Sequence, residues 1–266
     1  MYSFGYRAPT SVEEAVAALQ ADEEAKFLAG GMTLLPTMKL RLASPSQLIA
    51  LDGVSPLHGV SRAGEALVIG AMTRHAEVAR HALVREAIPA LAHLASRIGD
   101  PQVRNRGTLG GAIANNDPAA DYPAALVGLG ATVHTDRRAL DAEAFFTGMF
   151  ETALEADELV LKVSFPIPQR AAYVKFPNPA SGYAVVGVMV AQTATQVRVA
   201  VTGAGEQVFR VPAMEQALAA DFSRAALAGI TVPDEVALNE DLHASSAYRA
   251  HLVEVMAGRA VDAAGG

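Results

Sequence analysis

The sequence predicts an α+β protein built from two units, and three observations carry that prediction. The chain has 266 residues, more than a single small domain needs, and 51% of them are hydrophobic against 18% charged, enough to bury a core. Its first fifty or so residues alternate strand, helix and strand. Near Pro168 the pattern changes to several alternating strands followed by helices, which places a second α+β unit from about residue 170 onward.

In chain order, Thr10 or Ser11 opens a first helix with a capping box to Glu13 or Glu14, and Val12, Ala15, Val16 and Leu19 share its apolar face. Ala25–Ala29 reads as a strand running into Gly30-Gly31. Leu34, Leu35, Met38 and Leu42 give helical spacing to Met32–Leu42, and Gln47–Leu51 reads as a strand. Ala66–Ala71 is a further strand, with a helix from Thr73 whose first turn carries Glu77. Leu83–Ile98 is an apolar helix interrupted at Pro89. The stretch from Gly99 to Asp121 is the most polar and glycine-rich of the chain. Tyr122–Leu129 is helical, Ala131–Thr135 and Asp157–Val163 are strands, and a turn falls at Asp136–Arg138. Beyond Pro168, three runs (172–176, 183–192 and 196–202) read as strands, Phe209–Pro212 as a candidate fourth, and Met214–Gly229 and Ser246–Arg259 as helices. Gly265-Gly266 reads as a frayed end.

Composition excludes several function classes. A formal charge of −7, spread along the chain, lacks the clustered basic face of a nucleic-acid binder. With no cysteine, the chain holds no thiolate zinc site, iron–sulphur cluster, disulfide or cysteine nucleophile of its own. The seven histidines are scattered without ligand spacing, and no G-x-S-x-G elbow supplies a nucleophile. No leader pattern or membrane-length apolar run is visible, so the expectation is a cytoplasmic protein.

Two glycine segments carry the chemistry. Gly30-Gly31, between a strand and a helix, lets backbone approach a ligand and points N–H groups at an anion, with Thr33 as an added hydroxyl. The same pair also serves a plain tight βα turn, and spacing leaves both readings open. The segment matches neither G-x-G-x-x-G nor a P-loop. The second segment, Gln102–Asp121, gathers Arg104, Asn105, Arg106, Gly107, Thr108, Gly110, Gly111, Asn115, Asn116 and Asp117, and its glycines predict a second backbone nest. Asp121 is either the N-cap of the next helix or an acceptor for a ribose or ribityl hydroxyl. Two separated nests fit one long ligand with a diphosphate at its centre, the shape of flavin adenine dinucleotide (FAD).

At these residues the chain resembles the FAD-binding medium subunit of the molybdenum hydroxylases, the group that includes carbon monoxide dehydrogenase and the flavin domain of xanthine dehydrogenase. The similarity lies in Phe27–Pro36, Arg104–Gly111 and Asp117–Asp121, with weaker support from Phe145–Gly148, Asp157–Leu159 and Tyr173–Phe176. It covers essentially the whole chain. It implies a two-lobed FAD-binding domain of the vanillyl-alcohol-oxidase (PCMH) type over 1–169, with lobes of about 1–55 and 56–169, and a C-terminal domain of the carbon monoxide dehydrogenase flavoprotein type over 170–266, a three-stranded sheet with helices. By matching position, Ala29, Gly30, Gly31, Met32 and Thr33 would cradle the diphosphate from one side. Thr108, Leu109, Gly110, Gly111 and Ala112 would do so from the other. Asp121 would bind the sugar or ribityl portion, and Val160 and Lys175 would lie near the flavin ring. Phe27, Leu28, Leu34, Ile98, Gly107, Ala114 and Ala120 complete the expected cofactor-binding set. The sequence departs from many relatives in having Ala112 where they have Asn, and in lacking a basic residue before the aromatic in the loop after Phe176.

The resemblance further implies an electron-transfer subunit with no general acid or base and no metal of its own. A small partner subunit would carry 2Fe-2S clusters and a large one the molybdopterin cofactor, in a heterotrimer or a dimer of heterotrimers. Electrons would pass through FAD to a quinone, NAD or oxygen. A free-standing flavin oxidoreductase and a non-catalytic assembly subunit are the alternatives. Against the latter stand the intact glycine motifs, since loss of the cofactor would relax the demand for positive φ at Gly30, Gly31, Gly110 and Gly111.

Overall fold

The computed structural model describes residues 1–265, so the expectation for Gly266 lies outside the described residues. The chain opens with β1 (Gly5–Arg7), α1 (Val12–Gln20), β2 (Lys26–Leu28), α2 (Leu34–Lys39) and β3 (Gln47–Ala50). These strands form a parallel sheet in the order β1-β3-β2. All three residues of β1 are exposed, so no apolar pattern marks it in the sequence. Ser11 is the cap of α1, its Oγ accepting the Glu14 amide at 3.2 Å, while the Glu14 carboxylate accepts the amide and hydroxyl of Thr10. Ala15, Ala18 and Leu19 of α1 pack with Ile49 and Leu51 into a small core of this lobe. Helix α2 is shorter than the expected Met32–Leu42. It ends at Lys39, Arg41 turns the chain at φ 63°, and Leu42 is exposed, so its helical spacing does not report burial.

The second lobe begins with β4 (Val60–Ala63) and β5 (Ala66–Gly70), then α3 (His75–Arg80), α4 (Ala82–Ala87), α5 (Pro89–Ser96), α6 (Pro101–Arg106), α7 (Leu109–Asn115) and α8 (Tyr122–Leu129). It continues through β6 (Thr132–Thr135), β7 (Ala139–Asp141), α9 (Ala142–Phe145), β8 (Phe146–Gly148), β9 (Glu151–Thr152) and β10 (Val160–Pro166). Its main sheet is antiparallel, ordered β4-β5-β10-β6-β7. The expected interruption at Pro89 separates α4 from α5. Ile88, just before the proline, is driven out of the helical region to φ −140°, ψ 73°. The polar stretch 99–121 folds into two short helices that its glycines conceal. Asp100 caps α6 by accepting the Val103 amide at 2.7 Å, and Thr108 caps α7 by accepting the Gly111 amide at 3.2 Å.

The C-terminal part comprises β11 (Arg170–Pro177), β12 (Ala184–Gln192), β13 (Val197–Thr202), β14 (Phe209–Arg210), α10 (Pro212–Ala220) and α11 (Ser246–Ala263). Its antiparallel sheet, β11-β12-β13-β14, has four strands: the three of the expected sheet and, as β14, the candidate fourth at Phe209–Pro212. The helix expected over Met214–Gly229 stops at Ala220, and a separate 3-10 turn at Arg224–Leu227 follows, capped by Ser223. The sheet is covered on both faces. Met189, Ala191 and Ala200 join the core of the second lobe, while Val186, Val188 and Val190 pack with Val253 and Met256 under α11. Burial on both faces explains why β12 reads as a nearly unbroken apolar run. Where the second lobe meets the C-terminal sheet, a Cβ on Gly128 would lie 2.6 Å from Met189 Cγ, so α8 rests on β12 at glycine distance.

Candidate functional site

A cavity of about 950 Å³ opens between the two lobes, at the upper end of the ~300–1,000 Å³ range of ligand clefts. Its walls come from the loop after β2, from α7 and the start of α8, from β10 and the chain before it, and from Ala180–Tyr183 of the C-terminal part. Among the expected residues, Phe27, Leu28, Ala29, Gly30, Gly31, Met32, Thr33, Leu34, Ile98, Gly107, Thr108, Gly110, Gly111, Ala112, Ala114, Ala120, Asp121 and Val160 line it. Leu109 and Lys175 do not. Leu109 is fully buried in the core, and the Lys175 side chain is 2% exposed, its ammonium directed at Asp121.

The two glycine segments meet backbone to backbone. A Cβ on Gly30 would fall 2.2 Å from the carbonyl oxygen of Arg106 and 2.7 Å from Gly107 Cα, so any side chain there would force the segments apart. Of Gly30, Gly31, Gly110 and Gly111, only Gly31 has positive φ, at 71°. The expectation of positive φ at Gly30, Gly110 and Gly111 is therefore corrected. Gly30 and Gly110 are glycines for want of space, a Cβ on Gly110 meeting Ala71 Cβ at 2.6 Å. Gly111 faces more open ground, with Thr108 Oγ1 at 3.0 Å and Ala29 Cβ at 3.4 Å from its ideal Cβ.

The two segments also differ in their donors. Among the described residues the amides of Gly30, Gly31, Met32 and Thr33 find no acceptor, which leaves four N–H groups in a row at the cavity wall. In the second segment Leu109 donates to Thr73 O, Gly110 to Ala71 O and Gly111 to Thr108 Oγ1. The expected second nest is thus largely committed to holding α7 in place, and its glycines shape the wall more than they supply donors.

Asp121 stands at the start of α8, but its side chain makes no capping bond. Its buried carboxylate instead accepts the Tyr173 hydroxyl at 2.5 Å and Lys175 Nζ at about 3.0 Å. Burial pushes its carboxyl above the ordinary carboxylate range, against the pull of Lys175 and Tyr173. A Cβ on Gly187, opposite Lys175 on β12, would lie 2.2 Å from the Tyr173 oxygen, so that glycine is what lets the hydroxyl reach Asp121.

Several lining residues escape sequence reading. His75 is 4% exposed and set against the Tyr122 ring at 5.4 Å. Burial, with Arg104 as a second cause, lowers its pKa to about 4, so the ring is neutral. Glu158 is buried in a network with Arg138 (2.7 Å), Thr135 (2.7 Å) and the Glu155 amide (2.9 Å). The Arg138 bonds hold its carboxyl down at about 2, against the upward push of burial. No spacing signal marks either residue, because each is placed by contacts distant in sequence. No cluster of three or more His, Asp or Glu suited to a metal ion occurs among the described residues.

A family model described as the FAD binding domain in molybdopterin dehydrogenase matches residues 2–168. A second, the CO dehydrogenase flavoprotein C-terminal domain, matches residues 171–264. The chain belongs to this flavoprotein family. It is 35% identical to the nicotine 6-hydroxylase medium subunit of Paenarthrobacter nicotinovorans over 273 residues, covering 98% of this chain and 96% of that one. It is also 35% identical to the carbon monoxide dehydrogenase medium chain of Hydrogenophaga pseudoflava over 280 residues, with 98% and 96% covered. Among solved structures, quinoline 2-oxidoreductase from Pseudomonas putida 86 superposes with a TM-score of 0.91 at 28% identity, covering 99% of this chain and 97% of that one. A carbon monoxide dehydrogenase from Hydrogenophaga pseudoflava lacking the Mo-pyranopterin moiety superposes with a TM-score of 0.88 at 35% identity, with 99% and 97% covered. The chain is thus an FAD-binding subunit of the molybdenum hydroxylase family. No helix among the described residues is long and apolar enough to cross a membrane.

The cavity fits the cofactor of this family. Four adjacent unpaired amides at a loop shaped by Gly30 and Gly31 suit an anionic diphosphate, and Lys26 stands on the same wall. Apolar Leu28, Ile98, Leu159 and Val160 suit a ring system.

Proposed function

We propose that this flavoprotein is the electron-transfer subunit of a molybdenum-containing hydroxylase or dehydrogenase. FAD held by this chain would supply the redox chemistry that links one-electron iron–sulphur clusters of a partner to a two-electron external acceptor. The chain's own residues bind and orient it. Gly30–Thr33 present amides to the diphosphate, Thr108–Ala112 form the opposing wall, and the Asp121 carboxylate, oriented by Tyr173, faces the sugar or ribityl hydroxyls. Val160 and Ile98 lie against the ring and keep water from it. No side chain is assigned a proton-transfer role. The partners are a small iron–sulphur subunit and a large molybdenum subunit, in keeping with relatives named as medium subunits or medium chains. The substrate is set by the large subunit, and the acceptor is a quinone, NAD or oxygen.

The observation that carries this reading is the row of unpaired amides at Gly30–Thr33, held against Arg106–Gly107 by glycine contact. Purified protein is expected to be yellow, with flavin absorption released on denaturation. Colourless protein that takes up no added FAD overturns the reading. Affinity isolation from the native host is expected to bring down one cysteine-rich and one molybdenum-bearing partner.

A further inference from the structure

Lys175 performs a task that the expected flavin contact does not describe. It lies on β11, in the C-terminal part, yet its ammonium reaches three separate segments. It donates to the Arg97 carbonyl at 2.8 Å, to the Gly182 carbonyl at 2.9 Å and to the Asp121 carboxylate at about 3.0 Å. Three donors meet three acceptors, and the side chain is 2% exposed. Arg97 ends α5, Asp121 begins α8, and Gly182 belongs to the loop joining β11 to β12.

That loop is well formed within itself. Asn178 donates its amide to Tyr183 O and accepts from Gly182, while its side-chain oxygen takes the amides of Ala180 and Ser181. Ala180, Ser181, Gly182 and Tyr183 form one end of the cavity wall. The loop itself is held to the FAD-binding part through Lys175 and Gly182 O, and beside it the Ala184 amide reaches Ala119 O at a long 3.3 Å. A buried ammonium with full hydrogen bonding is a strong tie, because breaking it leaves polar groups unpaired away from water.

We propose that Lys175 is a latch, a positioning residue that fixes the 178–183 loop over one end of the cavity, so that the C-terminal domain governs how fast FAD leaves. The inference rests on the reading of the cavity as the FAD site. Lys175 acts through Gly182 O and Arg97 O, and its pairing with Asp121 sets the position of the ammonium.

The test uses the full chain loaded with FAD. Flavin release is followed by recovery of flavin fluorescence on dilution, and amide exchange is followed by mass spectrometry over residues 97–100 and 178–184. Lys175→Met is expected to speed FAD release roughly ten- to hundredfold, the worth of the one charge-assisted bond of its three that reaches the loop at Gly182 O, and to raise exchange in both segments. Lys175→Gln, which keeps two donors, should fall between. The double variant Asp121→Asn with Lys175→Met removes the unpaired buried charge but not the loss of the latch. Because Asp121 itself faces the cofactor, amide exchange is the deciding readout for the double variant, and it is expected to stay fast in both segments. Restoration of slow exchange in the double variant would make Lys175 a simple counter-ion and overturn the latch, as would unchanged release and exchange in Lys175→Met. A wild-type chain that takes up no FAD refutes the cavity reading instead. The exchange comparison on that chain still decides whether Lys175 holds the loop.

Discussion

The ideal Cβ position of Gly30 lies 2.2 Å from the carbonyl oxygen of Arg106, so the two glycine segments of the cavity touch through bare backbone. Even one methyl group must push them apart. Gly30→Ala is expected to lower stability by roughly 1–3 kcal/mol and to weaken FAD binding more than tenfold, since the row of amides moves with the loop. Thermal melts and flavin titration measure the two effects, and a variant with unchanged affinity would show that the contact does not shape the site.

Gly111 offers the complementary case. Its surroundings, Thr108 Oγ1 at 3.0 Å and Ala29 Cβ at 3.4 Å from the ideal Cβ, tolerate a small group but place a larger one between the facing walls. Gly111→Val is expected to fold, by circular dichroism, and to lose flavin absorption on purification. Gly111→Ala should retain most of it.

Gly187→Ala tests the Tyr173–Asp121 bond from behind. The added methyl would collide with the Tyr173 oxygen and displace it from the carboxylate. Loss of a hydrogen bond to a buried charge predicts destabilisation of about 1.5–3 kcal/mol. Pairing it with Tyr173→Phe should give little further loss, because both changes remove the same bond.

Acid stability should fall in two stages. A base whose folded value lies below its ordinary one favours the unfolded state as soon as the unfolded chain can take up a proton. His75, at about 4 when folded against 6.5, therefore removes stability as pH drops from about 6.5 to 4. Glu158, at about 2 against 4.5, contributes stability above pH 4.5, on the order of 3 kcal/mol, that is lost as pH falls from there toward 2. Denaturant unfolding across pH 3–8 should show both slopes. His75→Phe is expected to flatten the upper one, and Glu158→Gln the lower.

Much of this was legible in the residues themselves. The Gly30-Gly31 turn, the interruption at Pro89 and the change of pattern near Pro168 each follow from local rules that act within a few residues. The exposed strand β1 was not legible, because nothing in Gly5–Arg7 alternates, and the helices α6 and α7 were hidden by the glycines within and around them. Leu42 misled, since helical spacing of apolar residues says nothing about whether a neighbour covers them.

The sequence alone determined an α+β chain without cysteine whose glycine motifs resemble those of FAD-binding subunits, because cysteine count, hydrophobic pattern and glycine motifs are properties of short stretches. Tertiary structure decided what the charged groups do. Asp121 by its own place in the sequence, and Lys175 by the resemblance, 54 positions apart, each suggested a ligand contact, and the fold turned them toward one another. In water either charge is satisfied by solvent. Once β11 packs against α5, and β12 and β13 against α8, both are buried, and an ion pair with complete hydrogen bonding becomes the arrangement that burial permits.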